Sequence, residues 1–389
     1  MGTLGRDETY LIKGPDGHQY NCILRVAEGA SFLSLDDQAA VFSEPAQRIY
    51  GLNQMAANIW CRLEERQTPS AISGELIKSG VAPRLAREYV DQAIRMWLKL
   101  GLLKIEYSAN RSKLPLEHFF TVNVGKLKIT IQTTSELLAQ WLSPLFSDHV
   151  TPADGHGDIF HVVENDRLVH VFHNELNVLC CDVSELAPSL KAYITEQIVA
   201  RSPPDVVFHA AHLVRGMRSI LISGAPGAGK TTLALHLMNA EFEYRADDIV
   251  LIAPDGNVMG VPFAPTVKAG AWEVINKIYP ELNDAIVHRR PDGKCVRYLK
   301  PAHIVRTGKY PVGWIIFIER NSDGPAILKP LGRVDALSKL MEGSFSPGGK
   351  LTYAACNAIK RTLVNANSFE LTYSNATDAC TAIVGLCDD

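Results

Sequence analysis

The sequence predicts an α/β nucleotide-binding domain, preceded by a winged-helix-like unit and an intervening α+β stretch. Three observations carry this. From about residue 205, apolar strands alternate with helical segments, the pattern of an α/β domain. A glycine-rich pattern stands between one of those strands and the helix after it. The opening residues, to about Ser112, change from β-like runs to three short helices and a closing strand. The expected boundaries are 1–112, 113–204 and 205–389.

Length and composition fit that division. At roughly 100–200 residues per domain, 389 residues make two or three domains. Apolar residues are 47% and charged residues 21%, a globular rather than a disordered balance. A net charge of -3 gives no global attraction for nucleic acid or anionic membrane. No apolar run reaches the roughly 18 residues of a membrane span, and Met1 to Tyr10 has no apolar signal core. A cytoplasmic protein is expected, with neither nucleic acid nor membrane as partner. The eight cysteines form no C-x-x-C pair, so zinc-ribbon and thioredoxin-like sites are not indicated. Cys180 and Cys181, in an apolar stretch, are expected as buried free thiols.

The elements follow in order. His18 to Val26 and Ala39 to Ser43 read as strands, with turns at Pro15-Asp16-Gly17 and Leu35-Asp36-Asp37. Asn53 can cap a helix to about Glu65, with Met55, Ile59, Trp60 and Leu63 on one face. Thr68 caps a second, with Pro69 at its first position and an end near Gly80. A third follows Pro83, with Val90, Ala93, Met96 and Trp97 at helical spacing. Gly101 to Glu106 closes the unit as a strand, and the polar run from Tyr107 to Pro115 reads as a linker. In the middle stretch, hairpins are expected over 119–131 and 159–172, with helices from Ser135 and Ser184. In the third region, 218–223, 243–246, 249–252 and 311–318 read as strands, and Thr231 to Met238 as a helix.

Gly224-Ala225-Pro226-Gly227-Ala228-Gly229-Lys230-Thr231 fits G-x-x-x-x-G-K-[ST] in full, after a strand and at the start of a helix. Glycines let backbone N–H groups converge on phosphates, and the helix N-terminus adds positive potential. Lys230 would reach the β- and γ-phosphates, and the Thr231 hydroxyl would ligate Mg²⁺. Thr232 completes the nucleotide-binding stretch. No LSGGQ signature of transporter ATPases and no N-K-x-D motif of GTPases occurs.

Asp247-Asp248 lies between two strands downstream. Beside a nucleotide, one such carboxylate can hold Mg²⁺ while the other accepts a proton from an attacking hydroxyl. Alone, the pair also reads as a strand-end turn, and His209, upstream of the loop, as a structural histidine. Lys268 and the basic run from His288 to Arg297, with Lys294 and Arg297, are candidate contacts to a phosphate or an acidic acceptor; for Arg289 and Arg290 a solvated loop is the alternative.

His209, the phosphate loop and Ala246-Asp247-Asp248 together resemble the HPr kinase/phosphorylase superfamily, over about residues 205 to 255. The chain looks closest to the HPr-kinase-related proteins of peptide-modification systems, including lasso-peptide kinases. The resemblance implies a fold related to phosphoenolpyruvate carboxykinase, ATP and Mg²⁺ as cofactors, and phosphoryl transfer to a serine hydroxyl. It implies Asp247 as general base supported by His209, with Asp248 and Thr231 on the metal. Thr231-Thr232 stands where HPr kinases have Ser-Glu, and their C-terminal proline-glycine-arginine signature is not recognisable. HPr is therefore not the expected acceptor.

Tyr50-Gly-Leu-Asn53-Gln-Met-Ala-Ala-Asn-Ile-Trp60 is similar to the opening of the first helix in PqqD-like domains, over about residues 18 to 106. Such domains are RiPP recognition elements, which bind a precursor's leader peptide as an added strand. The groove is expected between the strand before Tyr50 and the third helix. A generic winged helix for DNA is the alternative, but Glu88 and Asp91 dilute that helix's basic residues. Joined, the two resemblances imply a kinase for a ribosomally made precursor peptide held by its leader. A kinase of an HPr-like protein or a free hydroxy amino acid is the first alternative. An ATP-dependent peptide-binding chaperone without transfer is the second. A homo-oligomer is left open.

Overall fold

The structure is a computed structural model describing residues 9–13, 19–107, 118–124, 127–146, 157–165, 168–174, 176–201, 206–261, 263–300, 309–346 and 349–388. The expected turns at 15–17 and 125–126, and the linker from residue 108 onward, lie outside the described residues. The fold is mixed α/β with several sheets. Contacts divide it into two compact units. One comprises 1–120, 130–139 and 153–186; the other comprises 121–129, 140–152 and 187–389. The middle stretch, 113–204, is thus shared between them.

The first unit opens with β1 (Thr9–Lys13), β2 (Gln19–Val26), β3 (Ala30–Leu35), β4 (Gln38–Ser43) and β5 (Arg48–Leu52). β3, β4 and β5 form one antiparallel sheet in that order. Sequence periodicity missed β3 and β5, whose residues alternate too little in burial. The three helices follow: α1 (Gln54–Glu64), α2 (Pro69–Lys78) and α3 (Pro83–Lys99). Both expected caps form. Asn53 Oδ1 accepts from the Ala56 N–H at 2.8 Å, and Thr68 Oγ1 from the Ala71 N–H at 3.0 Å. Each supplies an acceptor to an otherwise orphaned helix donor. β6 (Leu103–Tyr107) then pairs antiparallel with β2, which lies between it and β1.

Trp60 and Trp97 meet edge to face at 5.1 Å in the middle of this unit's core. Val163, Leu168, Phe172 and Cys180 belong to that same core. They come from β9 (Asp158–Asn165), β10 (Leu168–His173) and β11 (Leu176–Asp182), which follow β7 (His118–Val124), β8 (Leu127–Thr133) and α4 (Glu136–Leu142). β9, β10 and β11 form an antiparallel meander. Cys180 and Cys181 are buried free thiols, and burial pushes the Cys180 thiol up to about 12.

The second unit holds α5 (Leu186–Ala200), β12 (Val206–His209), β13 (Ala211–Arg215), β14 (Arg218–Ser223), α6 (Lys230–Asn239), β15 (Glu243–Ala246), β16 (Ile249–Ile252), β17 (Val258–Gly260) and β18 (Thr266–Lys268). It continues through α7 (Trp272–Asn276), β19 (His288–Arg289), β20 (Cys295–Tyr298), β21 (Val312–Arg320), β22 (Ile327–Pro330), α8 (Arg333–Glu342), β23 (Ser344–Phe345), α9 (Tyr353–Val364), β24 (Asn367–Tyr373) and α10 (Ala376–Asp388). Its main sheet runs β15-β13-β14-β21-β24-β22, with β14, β21 and β24 parallel. Parallel strands covered on both faces are apolar throughout. Accordingly Ile220, Ile222, Ile316 and Ile318 enter the core with α6 and α10, while Leu221, Ile315 and Phe317 enter the core with α8 and α9. Burying each such side chain contributes roughly 1.5–3 kcal/mol. No helix among the described residues is long and apolar enough to cross a membrane.

Candidate active site

The site forms at the C-terminal ends of the parallel strands, where α/β sheets place their ligand crevice. β14 ends at Ser223, and the glycine-rich loop passes from it into α6. Gly229 takes φ +100°, a left-handed conformation, and a Cβ there would meet the Tyr373 hydroxyl at 2.5 Å. Gly224 lies so close to β21 that a Cβ would stand 2.6 Å from the Ile318 carbonyl oxygen. The loop is thus pressed against the sheet at both ends. Tyr373 fixes it further by donating to the Ala228 carbonyl at 2.7 Å.

Lys230 is buried, and its ammonium donates to the Gly224 and Ala225 carbonyls at 2.8 and 3.3 Å. Burial lowers its pKa and neighbouring Lys268 lowers it further, against the opposing pull of Asp248 and Asp247.

The two aspartates divide sharply. Asp247 is 5% exposed. Its Oδ2 accepts from the Thr266 N–H at 2.8 Å and from the Thr231 hydroxyl at 3.4 Å. Its Oδ1 accepts from the Tyr244 hydroxyl at 3.3 Å and lies 3.6 Å from Lys191 Nζ. Burial, then Asp247, holds the Tyr244 pKa well above its ordinary value, so the phenol remains a donor. Lys191 also donates to the Thr266 hydroxyl at 2.7 Å.

Asp248, whose side chain is 51% exposed, faces the cleft 3.3 Å from His209 Nδ1. The β12–β16 register causes this, because His209 stands opposite Ile249, the residue after Asp248. Burial works to raise the Asp248 pKa, but Lys191, His209, Lys268 and Arg290 together bring it below the ordinary value. His209 is shifted down, by burial first and then by Lys230 and Lys268 against the two aspartates. The shift favours the neutral imidazole, beside which an ionised carboxylate can only accept.

His209 thus stands beside Asp248, and the Thr231 hydroxyl meets Asp247, whereas the resemblance implied the opposite pairing. Asp247 and Asp248 occupy the bend between β15 and β16, where the first side chain is buried and the second half exposed.

These groups line a cleft of about 650 Å³ with Pro226, Gly227, Gly229, Thr231, Thr232 and Lys268. Lys294 and Arg297 are not among its lining residues. Lys294 pairs with Asp292 at 3.6 Å, and Arg297 lies over the Trp272 ring at 4.3 Å. Arg290 of that basic run lines it instead, with Arg320, which no sequence pattern singled out. Arg290 also pairs with Asp292 at 3.3 Å. Lys191 was invisible as well, since nothing around it in α5 marks it as functional.

A magnesium–nucleotide complex needs hard oxygen donors, and one or two protein groups suffice beside the phosphates. Thr231 and Asp247 fit that requirement. No larger group of His, Cys, Asp and Glu suited to a metal occurs among the described residues.

No protein-family model matches the chain, and no curated protein matches its sequence. Solved structures similar to it include TbiB1 in complex with the TbiA(beta) leader peptide, at 17% identity and a TM-score of 0.20, covering 23% of this chain and 99% of that one. They also include the Hpr(Ser) kinase/phosphatase from Coxiella burnetii, at 13% identity and a TM-score of 0.21, covering 47% of this chain and 88% of that one.

Proposed function

We propose that this chain transfers the terminal phosphoryl group of ATP to a hydroxyl, serine foremost, of a ribosomally made precursor peptide. One observation carries the reading. A phosphate loop faces two carboxylates with separate partners, Asp247 with Thr231 and Asp248 with His209. The loop N–H groups and Lys230 would hold the β- and γ-phosphates. Thr231 and Asp247 would hold Mg²⁺, which neutralises charge on the phosphates when bound. Asp248 would be the general base in place of Asp247, with His209 orienting it. The acceptor's proton passes to the Asp248 carboxylate as its oxygen bonds to the γ-phosphorus, and the bond from that phosphorus to the ADP oxygen breaks. Lys268 is assigned to the transferring group or an acidic acceptor.

The N-terminal unit, read as a winged-helix recognition element, would hold the leader. β5 is an edge strand, and edge strands present open backbone donors and acceptors. Ile49 on β5 is exposed, as are Leu85, Tyr89 and Met96, which form one stripe along α3. Leader capture raises the effective concentration of the core peptide at the cleft.

The test is intact-mass spectrometry of a candidate precursor incubated with the protein, ATP and Mg²⁺. A gain of about 80 Da is expected, the mass of one added phosphate. Precursor binding without that gain would replace the kinase with a peptide-binding chaperone.

A further inference from the structure

The cleft carries more positive charge than its own carboxylates and the phosphate loop use. Among the described residues its lining holds four cations, Lys230, Lys268, Arg290 and Arg320, against two carboxylates, Asp247 and Asp248. Asp247 already has the buried Lys191 ammonium 3.6 Å away. Lys230 turns to the carbonyls of the phosphate loop. Arg320 stands toward that loop too, since it also lines a smaller hollow beside Gly229 and Thr232.

Arg290 is placed differently, by a short hairpin. β19 and β20 pair antiparallel, with His288 opposite Val296. The Arg290 N–H donates to the Lys294 carbonyl at 2.8 Å, and the Gly293 N–H donates back to the Arg290 carbonyl at 2.8 Å, which closes the turn. β18 pairs with the other edge of β20 and puts Lys268 opposite the same Val296. Residues directly opposite share a sheet face, and Arg290 follows His288 by one strand period. Lys268 and Arg290 therefore reach the cleft from one small sheet whose backbone fixes their spacing.

This sheet lies on the side of the general base. Both cations line the cleft with Asp248 and His209, and both help to hold the Asp248 carboxyl below its ordinary pKa. Of the two, Lys268 alone also acts on Lys230. An acceptor hydroxyl that reaches Asp248 must bring its neighbouring residues past Arg290.

The hairpin's charge is only partly answered within the fold. Asp292 serves two cations, 3.3 Å from Arg290 Nε and 3.6 Å from Lys294 Nζ. Arg289 and Lys268 are exposed and form no ion pair among the described residues. A guanidinium has several donors, and its terminal nitrogens form the fork that fits a carboxylate. We infer that this hairpin reads aspartate or glutamate side chains beside the acceptor hydroxyl, with Arg290 as the specificity-determining residue. The substrate is then a hydroxyl residue set in an acidic segment of the peptide. The inference rests on the kinase reading above and narrows its acceptor.

The experiment uses the full chain and N-acetylated, C-terminally amidated peptides of one sequence around a central serine, flanked by aspartate, asparagine or lysine. Blocked ends keep a terminal carboxylate from standing in for a side chain. Binding is measured by calorimetry with Mg²⁺–ADP, and transfer by intact mass with Mg²⁺–ATP. The aspartate peptide should bind about tenfold tighter than the asparagine peptide, the scale of one charge-assisted contact, and the lysine peptide should bind weakest. Arg290→Gln should reduce the aspartate preference to less than about threefold. Arg290→Glu should invert the order and favour the lysine peptide, a reversal that a merely structural arginine would not produce. Equal binding of all the peptides by the unmodified protein, or binding of none, overturns the inference and leaves the kinase reading to the mass gain on a precursor. An aspartate preference that survives Arg290→Glu also overturns it. Preferential binding of the aspartate peptide, with no mass gain on any peptide or on a precursor, overturns the kinase reading and the acceptor role with it.

Discussion

Replacing Asp248 with asparagine removes the proton acceptor and keeps the side chain's size. Phosphoryl transfer should fall by about 10²-fold or more, the usual scale of a positioned general base, while ATP affinity changes little. Full activity in Asp248→Asn would return the base to Asp247. Lys191 offers a finer probe. It is the foremost charge lowering the Asp248 pKa, and it also touches Asp247 and Thr266. Lys191→Met should let that pKa rise, so the acid-side midpoint of the kcat/KM profile moves to higher pH. Lys191→Arg should restore part of the shift, and a merely structural lysine would leave the midpoint in place. The same depression adds stability that is present above the unfolded carboxylate's pKa, about 3.9, and lost as pH falls through the folded one. The phosphate loop and Asp247-Asp248 were legible in sequence because each is local. Which aspartate meets His209 was not, because a strand register decides it. Lys191, Arg320 and Tyr373 were not legible for the same reason, since tertiary pairing alone brings them to the site.

At the scale of elements, the loop and α6 depend on a backbone only glycine adopts easily. Gly229→Ala meets both a positive φ and the Tyr373 hydroxyl. It should lower the melting temperature and weaken ATP binding, read by thermal unfolding with and without nucleotide. Tyr373→Phe retains the ring and removes one hydrogen bond, so it should cost about 1 kcal/mol of stability. In the N-terminal unit, α1 and α2 were readable to within a residue or two because their caps and apolar faces agree. β3 and β5 were not, since their half-exposed residues lack a clean alternation. On α3, Tyr89→Glu places charge on the exposed stripe without entering the core. It should raise KM for a full precursor by about tenfold and leave a leaderless core peptide unaffected, as loss of one peripheral anchor would.

At the scale of the whole molecule, the core shared by Trp60, Trp97, Val163 and Phe172 changes how the peptide reading must be tested. A truncation at residue 112 removes α1 to α3 and leaves the apolar side chains of β9 to β11 without their partners. The truncated chain should aggregate, seen by size-exclusion chromatography, so its inactivity would say nothing about leader binding. Point variants such as Tyr89→Glu avoid that. The sequence places a linker near residue 112 because the polar run there looks like punctuation. The later return of β9 to β11 to the first unit is a long-range event that no local composition signals.

The two hydrogen bonds from Lys230 to its own loop bear on anion selectivity. An entering anion competes with contacts that already occupy two of the ammonium's three donors. A chain of phosphates repays that exchange with several charge-assisted bonds at once. A lone orthophosphate repays it with fewer. The resting loop therefore discriminates against small inorganic competitors before any other part of the cleft takes part.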